Sequence, residues 1–245
     1  MEWISLIILF LVVFVASIVQ GISGFAFGIL ALLVVPYFYS YTQSVALVAL
    51  MTVFLLVYNA IVYRAYINWS LAPVAILAFS VTDIAAVCLL KYIGKYEFIY
   101  ALLGVIFILM AIYLLWMKDK MHIAGTTKNA VAFNGLAGIL NGLFGAGGPI
   151  AAAYFLAVSK DKNEYIATVQ AVFSVAMVID VVVRAFNGMY TLQLIALAVI
   201  CIVFMILGLV VAKKLFQKLS SAKVQVIVCI LMLANGINLI VRSFV

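Results

Sequence analysis

The chain has 245 residues, of which 70% are hydrophobic and 9% are charged. Soluble domains carry roughly a quarter charged residues, so this composition excludes a water-soluble globule. The net charge of +7 comes from Lys and Arg residues at the ends of apolar runs, which is typical of membrane topology signals and argues against nucleic-acid binding.

Ten apolar segments follow one another and predict an all-α, polytopic integral membrane protein. The last three segments of each half are about 20 residues long, enough to cross ~30 Å of hydrocarbon. The first two of each half are shorter, so we expect each such pair to form a helical hairpin that enters the membrane and turns back. The segments cover residues 3–20, 25–40, 43–63, 70–90 and 97–117, then 129–143, 149–159, 164–183, 191–212 and 223–241.

Each predicted hairpin turns at a glycine-broken run, and the two runs lie about 121 residues apart: QGISGFAFG at 20–28 and NGLFGAGGP at 141–149. A helix that starts at such a break has free N–H groups and the positive end of its dipole facing the break. Because glycine lets a ligand approach the backbone closely, two breaks that meet at mid-depth would suit a small anion. The alternative is close helix packing through small residues. The candidate substrate-binding residues are Gln20, Ser23, Gly24, Phe25, Asn141, Gly145, Ala146, Gly147 and Gly148.

The match between the halves extends past the glycines, since Arg64 and Arg184 each close the third segment of a half. A hairpin adds no net crossing, so with three further spans each half crosses an odd number of times and the second half is inverted. The predicted units are a first repeat at 1–117, a cytoplasmic linker at 118–128 and an inverted second repeat at 129–245. If only one member of each hairpin spans, the chain instead has eight spans in parallel repeats.

The distribution of cationic residues predicts the orientation. One side holds ten Lys or Arg residues and the other four, so the positive-inside rule places the first group in the cytoplasm and both termini outside. The first group is Arg64, Lys118, Lys120, Lys128, Lys160, Lys162, Lys213, Lys214, Lys218 and Lys223, and the second is Lys91, Lys95, Arg184 and Arg242.

Few polar side chains interrupt the apolar segments. Arg64 and Arg184 are either interfacial anchors or paired vestibule residues that attract anions, and Asp180, four residues before Arg184, is expected to neutralise it. An acidic group in the middle of a segment is usually functional, so Asp83 is either a proton or sodium coupling group or the buried partner of an arginine.

Two neutral amides, Asn59 and Gln170, lie in the third segments of the two halves. We expect them to line the transport path or to bridge helices. The three cysteines are isolated, and the single histidine has no ligand partners nearby in the sequence. No metal, cofactor or enzyme activity is therefore expected.

The glycine-rich residues resemble the sulfite exporter TauE/SafE family over essentially the whole chain. The run from Gly142 to Pro149, followed by Tyr154, is similar to one family signature, and the run from Gly24 to Gly28 through Pro36 is similar to its partner. At Phe25, Ala26 and Phe27 many family members have more glycine. The resemblance implies an exporter of sulfite, sulfoacetate or related sulfur anions in the bacterial inner membrane.

Together these features predict a secondary transporter whose partners are a small anion and the lipid bilayer. Its site is expected between the two hairpin tips, with alternating access by rocking of one part against another. The alternatives are a carrier for a different small anion, such as a carboxylate, and a membrane scaffold or channel subunit. The sequence leaves a homodimer open. Valine at Gly145 or Gly147 is expected to abolish transport in a protein that still folds.

Overall fold

The computed structural model describes residues 3–24, 26–113, 115, 123–215 and 221–243. Over these residues the chain forms ten α-helices and two short 3₁₀-helices, at Val35–Tyr37 and Arg64–Tyr66, and no strand. The predicted all-α class is confirmed, and each helix falls on one of the ten predicted segments. The helices are α1 (Trp3–Ser23), α2 (Phe27–Leu32), α3 (Tyr41–Val62), α4 (Ala72–Ile93), α5 (Phe98–Ile112), α6 (Thr127–Phe144), α7 (Gly148–Val158), α8 (Lys162–Phe186), α9 (Leu192–Leu215) and α10 (Ser221–Arg242).

Five helices within the described residues are long and apolar enough to cross a membrane: Trp3–Ile22, Tyr41–Val62, Ala72–Ile93, Lys162–Phe186 and Leu192–Leu215. Their surfaces carry exposed aliphatic side chains, as on α9, where Val199, Val203 and Val210 are all exposed. Such a surface suits lipid and not water. The chain is therefore a multi-pass membrane protein.

The first helix is longer than the sequence predicted. It continues through Gly21 to Ser23, has 21 residues and is long enough to span, whereas α2 has only six residues. A glycine inside a helix costs only about 1 kcal/mol, so the apolar residues around it carry the helix on to the break at Gly24. The second pair fits the prediction better, since α7 has 11 residues and cannot span.

Four helix pairs form the framework: α1 with α9, α4 with α6, α3 with α8, and α5 with α10. The first two pairs run parallel. In α1 and α9, Phe10 stacks on Phe204 at 4.5 Å, and Gly21 approaches Ala212 further along both helices. In α4 and α6, Gly135 lies opposite Thr82, and Gly142 lies opposite Ala86 and Val87. The residue numbers therefore increase in the same direction along both helices.

The other two pairs run antiparallel. Tyr41 at the start of α3 interacts with Arg184 near the end of α8, while Asn68, just after α3, donates to Glu164 at 2.7 Å near the start of α8. In α5 and α10, Gly104 and Gly236 approach each other so closely that a Cβ on either would lie 2.5–2.7 Å from the other's carbonyl oxygen.

Candidate functional site

The two glycine breaks meet in the structure. Helix α6 ends at Gly145, which has a left-handed φ of +58° and donates its N–H to the Asn141 carbonyl at 2.7 Å. The first break turns at Gly24, with φ of +89°, and leads into α2. A Cβ on Gly28 of α2 would lie only 2.6 Å from the Gly145 carbonyl oxygen. Glycine at position 28 therefore lets the two breaks touch directly.

A small cavity of about 40 Å³ lies where the breaks meet. A buried water needs roughly 10–15 Å³ measured in this way, so the space suits a few waters or one compact ion. Both halves of the chain contribute to its wall. The lining residues are Gln20, Gly28, Val48, Ala49, Thr52, Leu56, Phe79, Asn141, Gly145, Gly148, Phe173, Met177 and Arg184.

Arg184 is the charged residue of this wall and is completely buried. Its Nε donates to both carboxylate oxygens of Asp180, at 3.0 and 2.8 Å, and one terminal nitrogen donates to the Gly142 carbonyl at 3.1 Å. Its other terminal nitrogen, Nη1, has no partner among the described residues. The predicted neutralisation by Asp180 is confirmed, and one guanidinium donor remains available.

The burial of Arg184 differs from the setting expected of an interfacial residue. The connection after α8 begins with a cap in which the Met189 N–H donates to the Arg184 backbone carbonyl at 3.1 Å, and Met189 is itself buried. In the same connection, burial raises the pKa of the Tyr190 phenol, and the charge of Asp180 raises it further. Tyr190 therefore stays a neutral phenol beside the guanidinium.

Asp83 and Asn141 lie next to this arginine. Asn141 Nδ2 donates to Asp83 Oδ1 at 2.8 Å and to the Met177 sulfur at 3.2 Å. Asp83 is fully buried, and its Oδ2 has no partner among the described residues. Asp83 also interacts electrostatically with both Asp180 and Arg184. Asp83 and Asn141, both predicted as functional residues, thus lie in one cluster with Arg184.

The first break is held together by two glutamines. Gln20 donates to the Gly24 carbonyl at 2.9 Å and accepts the Phe27 N–H at 3.0 Å. Gln170 of α8 donates to the same carbonyl at 2.8 Å. These bonds satisfy backbone groups that the break leaves free. The first break is therefore closed by the side chains of Gln20 and Gln170. Phe25 and the Ser23 side chain lie outside the described residues.

Two predicted path residues lie away from this cavity. Arg64 is exposed after α3. Asn59 is buried and lines a second cavity of about 310 Å³ beside Gly21, together with Tyr63 and Lys213. This second cavity lies between α1, α3 and α9, whereas Arg184 lines the cavity where the two breaks meet.

Part of the second glycine run serves packing. A Cβ on Gly147 would overlap the Ala137 carbonyl oxygen of α6, and it would lie 2.9 Å from the Asn141 Cβ. Ala146 is almost completely buried and donates to the Leu140 carbonyl at 3.4 Å. Gly147 therefore allows α7 to pack closely on α6, whereas Gly145 and Gly148 contribute to the cavity wall.

Several residues of the wall escaped the sequence analysis. Val48, Thr52 and Leu56 are spaced by four residues along α3 and share its inner face, so the helical spacing was the available signal. Thr52 is the polar member and donates its hydroxyl to the Val48 carbonyl at 2.7 Å. Phe79 and Phe173 pack against each other with ring centroids 5.4 Å apart and close the wall on the apolar side.

Comparison with known proteins gives one family. The family whose sequence model is described as sulfite exporter TauE/SafE matches residues 9–239. No curated protein and no solved structure matches the chain. The match covers nearly the whole chain, both glycine breaks included.

Proposed function

Since the chain belongs to the sulfite exporter TauE/SafE family, we propose that it is a secondary transporter that exports sulfite, sulfoacetate or another small organosulfonate. Membership of this family implies a membrane transporter of sulfur anions and no enzyme activity. The helices of spanning length agree with membrane transport.

The observation that carries the proposed site is Arg184, which lines the cavity between the two glycine breaks and whose Nη1 has no partner among the described residues. A buried, unpaired N–H of a charged group is costly unless an acceptor occupies it. The oxygens of a sulfite or sulfonate group are strong acceptors for a guanidinium. The start of α7 at Gly148 lies in the same wall and adds the positive end of a helix dipole.

The chemistry of the rest of the wall fits a compact oxyanion. Gln20, Asn141 and Thr52 are its neutral polar side chains, while Phe79, Phe173 and Met177 are apolar. The volume of about 40 Å³ fits the head group of the substrate. A longer organic tail requires the surrounding helices to separate, as they do in alternating access. Arg64, exposed at one end of the molecule, would serve to attract anions from solution.

Alternating access rests on the proposed inverted repeat. If α1–α5 correspond to α6–α10, then α1 is equivalent to α6 and α9 is equivalent to α4. The pair of α1 with α9 is therefore equivalent to the pair of α6 with α4. The pairs α3 with α8 and α5 with α10 are then each formed by equivalent helices, and both run antiparallel. Equivalent helices would run parallel if the repeat axis stood along the membrane normal. Their antiparallel packing supports an axis in the membrane plane.

The proposed orientation places the cationic end in the cytoplasm of a bacterial cell and both termini in the periplasm. Asn68, after α3, reaches Glu164 at the start of α8, and a Cβ on Gly125, before α6, would lie 3.5 Å from Val158 at the end of α7. These contacts gather Arg64, Lys128, Lys160 and Lys162 at one end. The positive-inside rule assigns that end to the cytoplasm.

Cysteine labelling tests this orientation. In a cysteine-free background, a membrane-impermeant maleimide added to intact spheroplasts should label Trp3→Cys and Lys95→Cys, because both positions are exposed and lie at the predicted outer end. It should miss Gly125→Cys and Lys160→Cys until the membrane is permeabilised. The opposite pattern would invert the whole topology. Labelling of Trp3→Cys and Gly125→Cys from the same side would contradict the crossing count in the first half.

Substrate binding tests the function. Purified protein in detergent should gain thermal stability with sulfite, methanesulfonate or sulfoacetate, because a ligand that binds only the folded state raises the unfolding temperature. Acetate and malonate at equal ionic strength serve as carboxylate controls. Proteoliposomes should then take up each sulfur anion that binds. Stabilisation by carboxylates alone would overturn the sulfur-anion proposal, and binding without flux would overturn the transporter proposal.

A further inference from the structure

A cluster of buried ionisable groups adjoins the cavity but is not needed to hold an anion. Asp83 of α4 and Asp180 and Arg184 of α8 are each completely buried. Arg184 is hydrogen-bonded to both oxygens of Asp180, whereas Asp83 is held by the neutral amide of Asn141. The two carboxylates also interact with each other.

The charges of this cluster do not balance if every group is ionised. Among the described residues two carboxylates face one guanidinium, and the titratable side chains that face the cluster from other elements are the phenols Tyr41 of α3 and Tyr190 after α8. Neither phenol supplies a positive charge. A buried carboxylate without a cation is strongly disfavoured, and in practice such a group takes up a proton instead.

We propose that Asp83 and Asp180 hold one proton between them, with Asp83 as its carrier, and that the protein moves this proton together with the anion. The inference rests on the proposed function and names the coupling ion for the same site. Asp83 is the carrier because both oxygens of Asp180 already accept from Arg184 Nε, whereas Oδ2 of Asp83 has no partner among the described residues.

A sodium ion fits this site poorly. Hard cations need several oxygen ligands, but Asn141 presents its Nδ2 to Asp83, and the Arg184 guanidinium adds a positive charge to the same cluster. A proton needs only one carboxylate oxygen and a nearby acceptor. The neighbouring Asp180 carboxylate supplies such an acceptor within the cluster.

The anion and the proton are linked through Arg184. An anion on Nη1 adds a third negative charge beside one guanidinium, so the site then holds its proton more tightly. By thermodynamic reciprocity, the proton raises the affinity for the anion by the same factor. Loss of the proton on one side of the membrane weakens the hold on the anion there, so both leave together.

The proton itself can be detected without any substrate. Infrared difference spectra of the purified wild-type protein, recorded while the medium is made alkaline, should show loss of a protonated-carboxyl C=O band. In Asp83→Asn that band should be absent throughout. The variant should fold, because asparagine keeps the oxygen that accepts from Asn141. Glu164→Gln is the matched control, since Glu164 lies on α8 but bonds Asn68 far from Arg184. Absence of the band in wild-type protein would overturn the proton site.

Coupling is tested in voltage-clamped proteoliposomes that contain a trapped pH dye. Methanesulfonate, which stays ionised across the neutral range, should acidify the lumen of wild-type vesicles as it enters, with one proton for each anion. Asp83→Asn should take up methanesulfonate without acidification, and Glu164→Gln should match wild type. Uptake by wild type without acidification, or uptake that requires sodium, would overturn the coupling and leave the transport function standing. If no anion enters wild-type vesicles, the proposed function fails, and the infrared spectra still decide the proton site.

Discussion

Replacing Arg184 with lysine should lower the affinity for sulfite about tenfold to hundredfold, which corresponds to the ~1.5–3 kcal/mol of one hydrogen bond to a charged group. Arg184 lines the cavity and makes bonds to Asp180 and to the Gly142 carbonyl, and its other terminal nitrogen has no partner among the described residues. A lysine has a single charged nitrogen, which is drawn to Asp180, so it provides no second charged nitrogen for the anion. Isothermal titration with sulfite in detergent measures the change.

Arg64→Lys is the matched control for this experiment. It replaces a guanidinium with an ammonium at the corresponding place in the first half, but Arg64 is exposed and outside the cavity. Its sulfite affinity should equal that of wild type. Because Arg184→Lys keeps a cation next to Asp180, it should still unfold cooperatively. Unchanged sulfite affinity in folded Arg184→Lys would place the anion elsewhere.

Replacing Gly147 with alanine should destabilise the protein by about 1–3 kcal/mol, the typical cost of overpacking, and should abolish sulfite binding. The added methyl would overlap the Ala137 carbonyl and press on the Cβ of Asn141. Both belong to the body of α6 and cannot rotate away, so α7 must shift and carry Gly148 out of the cavity wall. Thermal unfolding and sulfite titration on purified protein measure the two effects.

Gly135→Ala is the control for Gly147→Ala on the same framework. A Cβ there would lie 3.7 Å from the Thr82 methyl group, an ordinary contact, and alanine is the better helix former. This variant should be as stable as wild type or slightly more stable, with unchanged sulfite affinity. A stable Gly147→Ala protein would show that α6 and α7 pack less rigidly than their contacts indicate.

The comparison of Gly145 with Gly147 shows what the sequence could predict. Apolar runs broken by charges and turn residues located all ten helices, because hydrophobicity and helix length are local properties. The doubled glycine runs located the meeting point of the two halves, where Gly28 touches Gly145. The sequence could not separate Gly147, which packs on α6, from Gly145, which lines the cavity, since both occur in one run and only the neighbouring helix distinguishes them.

The roles of the charged residues depended still more on tertiary structure. The spacing of Asp180 and Arg184 correctly predicted their ion pair. Arg64 and Arg184 occupy matching positions in the sequence, yet one is exposed and the other fully buried. The Arg184 side chain bonds Asp180 and the Gly142 carbonyl of α6, and the contact with α6 is one that the sequence does not reveal. Contacts between helices that are distant in the chain, such as Asn141 with Asp83, leave no periodic signal.

The ion pair of Asp180 and Arg184 has an electrical consequence, because both residues belong to α8 and lie one helical turn apart. One elementary charge moved across a membrane potential of 100 mV is worth about 2.3 kcal/mol. A lone arginine on a rocking helix would add an energy of up to that size to every transport cycle. The pair moves as a unit without net charge, so α8 can change position with almost no response to voltage.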